Sequence, residues 1–228
     1  MKSESLLTRS QKEIVIQYTK LYPEYDKLGQ ELKSFVETIL NEAGIEFISI
    51  TQRAKDIDSF QSKIIRKNYK NPLFDIKDLC AIRIICSFPK DVKKIERVLK
   101  KNFKISGSKD HEENISPYKF WYRSHHFEIK LNNKQISKKK YKLLKYFVAE
   151  VQVRTVFMDA WATMEHKINY KHEWNTSHDT KRKLSRLSAL LELADEQLEE
   201  LANNDQKKNV KIRMRKITTP NSACKVKK

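Results

Sequence analysis

The sequence predicts an α+β domain in which a mixed β-sheet of about five strands is flanked by helices. Three observations carry this expectation. Apolar runs with strand periodicity recur at Leu79 to Phe88, Phe120 to Leu131 and Tyr146 to Arg154. Between and around them, apolar residues fall at helical spacing. A length of 228 residues with 39% apolar side chains provides for one sizeable core and little more.

The first helix is read over Glu24 to Ile45, where Leu28, Leu32, Phe35, Val36, Ile39 and Leu40 repeat at helical spacing and Gly44 marks the end. A short strand follows at Phe47 to Ile50. Asp56 or Asp58 then caps a helix whose inward face is Ile57, Phe60, Ile64 and Ile65, leaving Lys63, Arg66 and Lys67 available to anions. Leu79 to Phe88, interrupted only by Arg83, has the continuous apolar character of a central strand. A helix marked by Val92, Ile95, Val98 and Leu99 comes next, and after it a loop containing Gly107 and Asp110.

In Tyr146 to Arg154, strand alternation places Phe147, Ala149, Val151 and Val153 on one face and Glu150, Gln152 and Arg154 on the other. Thr155 to Lys171 reads as a helix with Met158, Trp161, Met164 and Ile168 inward. Asp179 to Leu201 reads as another, with a leucine stripe that is read as core, although its C-terminal part also suits packing on another protomer. The domain is placed at residues 23–203, after an N-terminal segment (1–22) and before a basic tail (204–228).

The formal net charge of +18 favours a polyanionic partner. Nine Lys or Arg and no acid lie in residues 207–228, so half the surplus belongs to the tail. Cys80, Cys86 and Cys224 lack the paired spacing of a zinc site and are read as having no chemistry. No apolar run is long enough to span a bilayer and residues 1–8 have no apolar centre, so a cytoplasmic protein is expected. With only Gly29, Gly44 and Gly107, neither a Walker loop nor a dinucleotide fingerprint is possible. A nucleotide would have to be held by side-chain cations and carboxylate-bound metal.

Asp78 opens a buried strand and Glu150 lies on another, where an unsatisfied carboxylate is costly. With Arg53, Lys55, Lys63, Arg66 and Arg83 close in sequence to Asp78, the pair forms an arrangement suited to Mg²⁺ and a polyphosphate.

From about residue 20 to about residue 200 the chain resembles the RelA/SpoT alarmone synthetase domain, whose fold is nucleotidyltransferase-like. Arg53, Lys55, Ser59, Lys63 and Arg66 look like its Arg-x-Lys, Ser and Lys series, and Asp78 to Ile85 is similar to its Asp-Ile-Ala-Gly-Ile-Arg-Ile motif. Tyr122 to His126 resembles Gly-Tyr-Arg-Ser-Leu-His without its Gly, and Glu150 to Thr155 resembles Glu-Ile-Gln-Ile-Arg-Thr. Met158 to His166 looks like the Met-Asx-x-Trp-Ala-x-x-Glu-His helix.

The resemblance implies a pyrophosphokinase that moves the pyrophosphate of ATP to a ribose 3′-hydroxyl, with Mg²⁺ as cofactor. It implies that Arg53 and Arg83 sandwich the adenine while Lys55, Ser59, Lys63 and Arg66 hold the phosphates. Asp78 and Glu150 would be the metal and catalytic residues. Lys119, Tyr122, Arg123, His126, Gln152 and Arg154 would surround the acceptor. Trp121 stands where the family usually has Gly, which puts the usual guanosine acceptor (GDP or GTP) in question. The chain looks most like toxic members that pyrophosphorylate the 3′-CCA end of transfer RNA and are neutralised by an antitoxin protein. The basic run Lys134 to Lys145 and the tail would bind the RNA backbone. A catalytically inactive RNA-binding module is the reading from another class, and intact Asp78 and Glu150 speak against it.

Overall fold

The computed structural model describes residues 7–67, 69–109, 124–131, 148–171 and 177–218. Within them the chain runs α1 (Arg9–Glu42), β1 (Ser49–Ala54), α2 (Ile57–Lys67), α3 (Pro72–Asp75), β2 (Cys80–Cys86), α4 (Pro89–Asn102) and β3 (Phe103–Lys109). It continues through β4 (His125–Leu131), β5 (Ala149–Thr155), α5 (Val156–Lys171) and α6 (His178–Thr218). The five strands form one sheet in the order β1-β2-β5-β4-β3, in which β2 and β5 are parallel and every other pair is antiparallel. The mixed five-stranded sheet flanked by helices is as expected.

Alternation sorts the sheet into two faces. Ile50 and Ala54 of β1, Ile82 and Ile84 of β2, Val151 and Val153 of β5, and Phe127 and Ile129 of β4 are buried in the core. Leu28, Leu32, Val36 and Ile39 of α1 and Val92, Ile95 and Leu99 of α4 belong to the same core. Gly29 leaves room under α1 for the Gln52 side chain of β1, whose Oε1 would lie 2.3 Å from a Cβ at that position. On the opposite face, register aligns Arg53 with Ala81, Ala81 with Glu150 and Glu150 with Glu128.

The first helix is longer than the sequence suggests. It starts at Arg9, behind a capping box made by Thr8 and Gln11, and runs through Pro23 and through the boundary expected at residue 22. Proline is most at home in a first turn, so periodicity alone placed the helix start there. Packing carries the helix through: Tyr18, one turn earlier, is fully buried and stacks on Phe60 with ring centroids 4.1 Å apart. At the other end, α6 continues past residue 203 to Thr218.

The segment expected to be a loop around Gly107 is strand β3, paired with β4 across a register shift between Ile105 and Gly107. Its Lys, Ser and Gly content, at the edge of the sheet, hides the period that marks the central strands. Met164, expected inward, is 57% exposed, because the inward arc of α5 centres on buried Trp161 and half-buried Glu165. The leucines of α6 are not core either: Leu187, Leu190, Leu193, Leu198 and Leu201 are exposed, whereas Ser188 and Asp195 are buried. Cys80 and Cys86 are buried free thiols whose pKa burial pushes up to about 12, while Cys224 lies outside the described residues. Among the described residues no helix is long and apolar enough to cross a membrane.

Candidate active site

The chain leaves β1 at Ala54 and is pinned at once, since Lys55 N–H donates to Leu79 O at 2.9 Å and Lys55 O accepts from the buried Tyr18 hydroxyl at 2.5 Å. Lys55 is thereby held beside the residue that precedes β2. Its Nζ lies 2.9 Å from Asp78 Oδ2, and Lys63 Nζ, from α2, lies 2.8 Å from Oδ1. Asp56 caps α2 by accepting from Ser59 N–H at 2.8 Å, which fixes the helix that carries Lys63. Ser59, Lys63 and Arg66 follow each other at helical spacing, so a hydroxyl and two cations line one face of α2, with Lys63 in the middle on Asp78. Burial alone would raise the Asp78 pKa; the Lys63 hydrogen bond and the Lys55 charge outweigh it and hold the carboxyl below its ordinary value.

Glu150 is the second carboxylate. His126 Nδ1 donates to its Oε1 at 2.9 Å and Gln152 Nε2 donates to its Oε2 at 2.8 Å. An ionised carboxylate only accepts, so Nδ1 carries the hydrogen, and Nε2 on the other side of the ring lies 2.5 Å from the Ser124 hydroxyl oxygen. Burial pushes the Glu150 pKa up and so does the Asp78 charge, but His126 and Gln152 bring it below the ordinary value. Both carboxylates are therefore charged at neutral pH, Asp78 in the turn that leads into β2 and Glu150 on β5, which pairs with β2.

Arg83 and Arg154 form the third group. Arg83 NH1 lies 3.2 Å and Arg154 NH1 3.0 Å from the same oxygen, Asp159 Oδ1. Asp159 stands in the first turn of α5, which β5 feeds directly. Burial and the neighbouring Arg83 charge press the Arg154 pKa down, with Asp159 opposing them.

Of the residues singled out from sequence, Lys55, Lys63, Asp78, Arg83, His126, Glu150, Gln152 and Arg154 are thus joined into three connected clusters. Arg53, Ser59 and Arg66 are exposed at the β1 and α2 side of the same region. Lys119, Tyr122 and Arg123 lie outside the described residues, as do Trp121 and the run from Lys134 to Lys145. Sequence reasoning missed Asp159, Glu128 and Tyr18. Asp159 was detectable as the first acid after Arg154, and Glu128 by the alternation that places it on the His126 face. Tyr18 gave no signal, because it lay ahead of the expected helix.

The donor set fits a hard divalent cation. Asp78 and Glu150 are ionised and would offer carboxylate oxygens to it, while no group of three or more His, Cys, Asp or Glu that could hold a metal occurs among the described residues. Such a pair suits Mg²⁺, which is commonly bound by one or two carboxylates and completed by water and substrate phosphates.

Comparison with known proteins identifies the family. Residues 52–175 match the family described as "Region found in RelA / SpoT proteins". The GTP pyrophosphokinase YjbM of Bacillus subtilis (strain 168) is 32% identical over 168 residues, spanning 71% of this chain and 74% of the relative. The crystal structure of small alarmone synthetase 1 from Bacillus subtilis superposes with a TM-score of 0.69 at 26% identity, covering 84% of this chain and 98% of that one. The same synthetase bound to its product pppGpp matches at a TM-score of 0.68 and 26% identity, over 82% of this chain and 97% of that one. The protein is a pyrophosphokinase. Specifically, the chain belongs to the RelA/SpoT family.

Proposed function

We propose that the protein transfers the pyrophosphate group of ATP to the ribose 3′-hydroxyl of a guanine nucleotide, GDP or GTP. The acceptor is supported by likeness to a GTP pyrophosphokinase along most of the chain and by a synthetase that binds pppGpp. The observation that carries the chemistry is two ionised carboxylates, Asp78 just ahead of β2 with Lys55 and Lys63 on its oxygens and Glu150 on β5, near enough that the charge of Asp78 acts on Glu150.

In this reading the 3′-oxygen attacks the β-phosphorus in line. The new O–P bond forms as the bond from the β-phosphorus to the bridging oxygen breaks, and AMP leaves with that oxygen. Glu150 takes the hydroxyl proton, and His126 and Gln152 hold its carboxylate in place to do so. Lys55, Ser59, Lys63 and Arg66 bind the triphosphate, and the two lysines stabilise charge that spreads over the transferred group. Arg53 and Arg83 stack on the adenine, while Gln152, Arg154 and His126 border the acceptor together with Lys119, Tyr122 and Arg123. Asp78 and Glu150 would hold Mg²⁺, which when bound neutralises phosphate charge.

A second acceptor, the 3′-CCA end of transfer RNA, is favoured by the net charge of +18 and by Trp121 standing where the family usually has Gly. On that reading the protein is a toxin of translation with an antitoxin partner. Incubation with γ-labelled ATP and Mg²⁺, with GDP, GTP or deacylated transfer RNA, decides between them. Label on GDP or GTP supports the first acceptor; label on RNA alone replaces it with the second. Transfer to none of the three removes both.

A further inference from the structure

One row of residues crosses the sheet at the level of Glu150. Register aligns Ala81 of β2 with Glu150 of β5, Glu150 with Glu128 of β4, and Glu128 with Gly107 of β3. Two acids therefore stand side by side between two small residues. Directly opposed residues of an antiparallel pair have Cβ atoms about 4.5–5.5 Å apart, and like charges so placed repel. Glu128 leans towards β3, where Gly107 makes room for it: a Cβ at Gly107 would stand 3.1 Å from Glu128 Oε2. Among the described residues no hydrogen bond or ion pair engages the Glu128 carboxylate, which is half-buried.

The acid thus costs the sheet a repulsion next to Glu150 and returns no contact within the fold. Its place suggests what it meets. The groups assigned to ATP lie on the β1, β2 and α2 side of Glu150, whereas His126 and Glu128 share β4, on the acceptor side. An acceptor whose 3′-oxygen sits at Glu150 has two carbons next to the reacting one. C4′ leads to the 5′-phosphate, and C2′ carries a hydroxyl that can donate a hydrogen bond. A carboxylate beside Glu150 repels the phosphate side and accepts from the hydroxyl side.

We propose that Glu128 binds the 2′-hydroxyl of the acceptor ribose, so that the site selects a ribonucleotide over its 2′-deoxy counterpart. Two carboxylates in opposed register then meet the two neighbouring hydroxyls of one ribose, Glu150 the 3′ and Glu128 the 2′. A site built to bond a substrate hydroxyl rejects the analogue that lacks it, because its own polar group is left unpaired. This assignment rests on the proposed function, in which Glu150 receives the 3′-hydroxyl. It applies equally to a guanine nucleotide and to the terminal ribose of an RNA.

The test is kcat/KM with ATP and Mg²⁺ for GDP and 2′-deoxy-GDP, in the parent chain, Glu128→Ala and Glu128→Gln. Should RNA alone take the label, transfer RNA ending in adenosine or 2′-deoxyadenosine replaces the pair. The parent should prefer the ribose acceptor by about 10- to 100-fold, the worth of one hydrogen bond to a charged group. Glu128→Ala should lose that factor with GDP and change little with 2′-deoxy-GDP, and Glu128→Gln, whose neutral oxygen still accepts, should fall between. Any effect of the 2′-hydroxyl on the reactivity of its neighbour is common to all three proteins and cancels in the comparison. A folding defect likewise lowers both acceptors together. A parent with no ribose preference, or a Glu128→Ala protein that keeps the parent's preference, overturns the proposal. Transfer to no acceptor by the parent chain removes the proposed function itself, and this assignment with it.

Discussion

Lys55 and Asp78 form an ion pair 2.9 Å long at the point where β1 ends and β2 begins, and Lys55 is only 8% exposed. The pair is structural and functional together. Asp78→Ala leaves a buried ammonium without its counter-charge, a loss of about 3 kcal/mol. It also removes a carboxylate from the transfer site, and the rate should fall by at least about 100-fold. Urea unfolding and transfer assays with each acceptor measure the two effects separately. Retained transfer in a folded Asp78→Ala protein would sink the assignment of Asp78.

Asp78 also sets a pH dependence. Its folded pKa lies below the ordinary value, with the lysines overcoming burial. Ionisation of Asp78 therefore stabilises the fold fully above the unfolded pKa of about 3.9, and that contribution is lost as pH falls through the lower folded value. The stability difference between the parent and Asp78→Asn should be constant from neutral pH down to the carboxyl range and shrink below it. A difference that grows on acidification would contradict the direction of the shift.

His126 governs Glu150 in the same way. Removing the Nδ1 donor with His126→Ala leaves burial and the Asp78 charge to act on Glu150 with only Gln152 opposing them. Both push the pKa up, so the acid limb of the kcat/KM profile should move to higher pH. An unmoved limb with reduced rate would assign His126 to acceptor binding instead.

Asp159 ties two cations on neighbouring strands to one oxygen. Asp159→Ala frees Arg83, which the proposed function places against the adenine, and strands the buried Arg154. A lost hydrogen bond to a charged group is worth about 1.5–3 kcal/mol, so KM for ATP should rise roughly 10- to 100-fold. A rise in KM for the acceptor alone would move Arg83 away from the donor site.

The central strands and their faces were legible because period two survives wherever one side is core: Ala149, Val151 and Val153 against Glu150, Gln152 and Arg154. Asp78 and Glu150 stood out because acids are rare in such runs. Edge strand β3 was hidden by its own composition, and the start of α1 by Pro23, whose local preference is overridden by the burial of Tyr18. Asp159 was invisible as a bridge since its partners, Arg83 and Arg154, are 71 residues apart in sequence and meet only through the parallel pairing of β2 with β5. The leucine stripe misled because helical spacing identifies an apolar face without saying what covers it.

The docking of α6 is the last dependency. Asp195 is buried with the Thr155 hydroxyl donating to it at 2.5 Å, and Thr155 in turn accepts from Met158 N–H at 3.2 Å at the start of α5. One acid therefore joins the end of β5, the first turn of α5 and the middle of α6. Asp195→Ala removes the acceptor and leaves the buried Thr155 hydroxyl without it while Met158 N–H keeps its own bond, so the loss is at least that of one buried hydrogen bond, about 1–3 kcal/mol. For a domain of this size the melting temperature should fall by about 2–4 °C per kcal/mol. Asp78, Glu150 and their partners sit on other elements, so kcat at low temperature should be close to that of the parent chain. A variant with unchanged thermal unfolding and lost activity would mean that α6 acts on the site rather than on the fold.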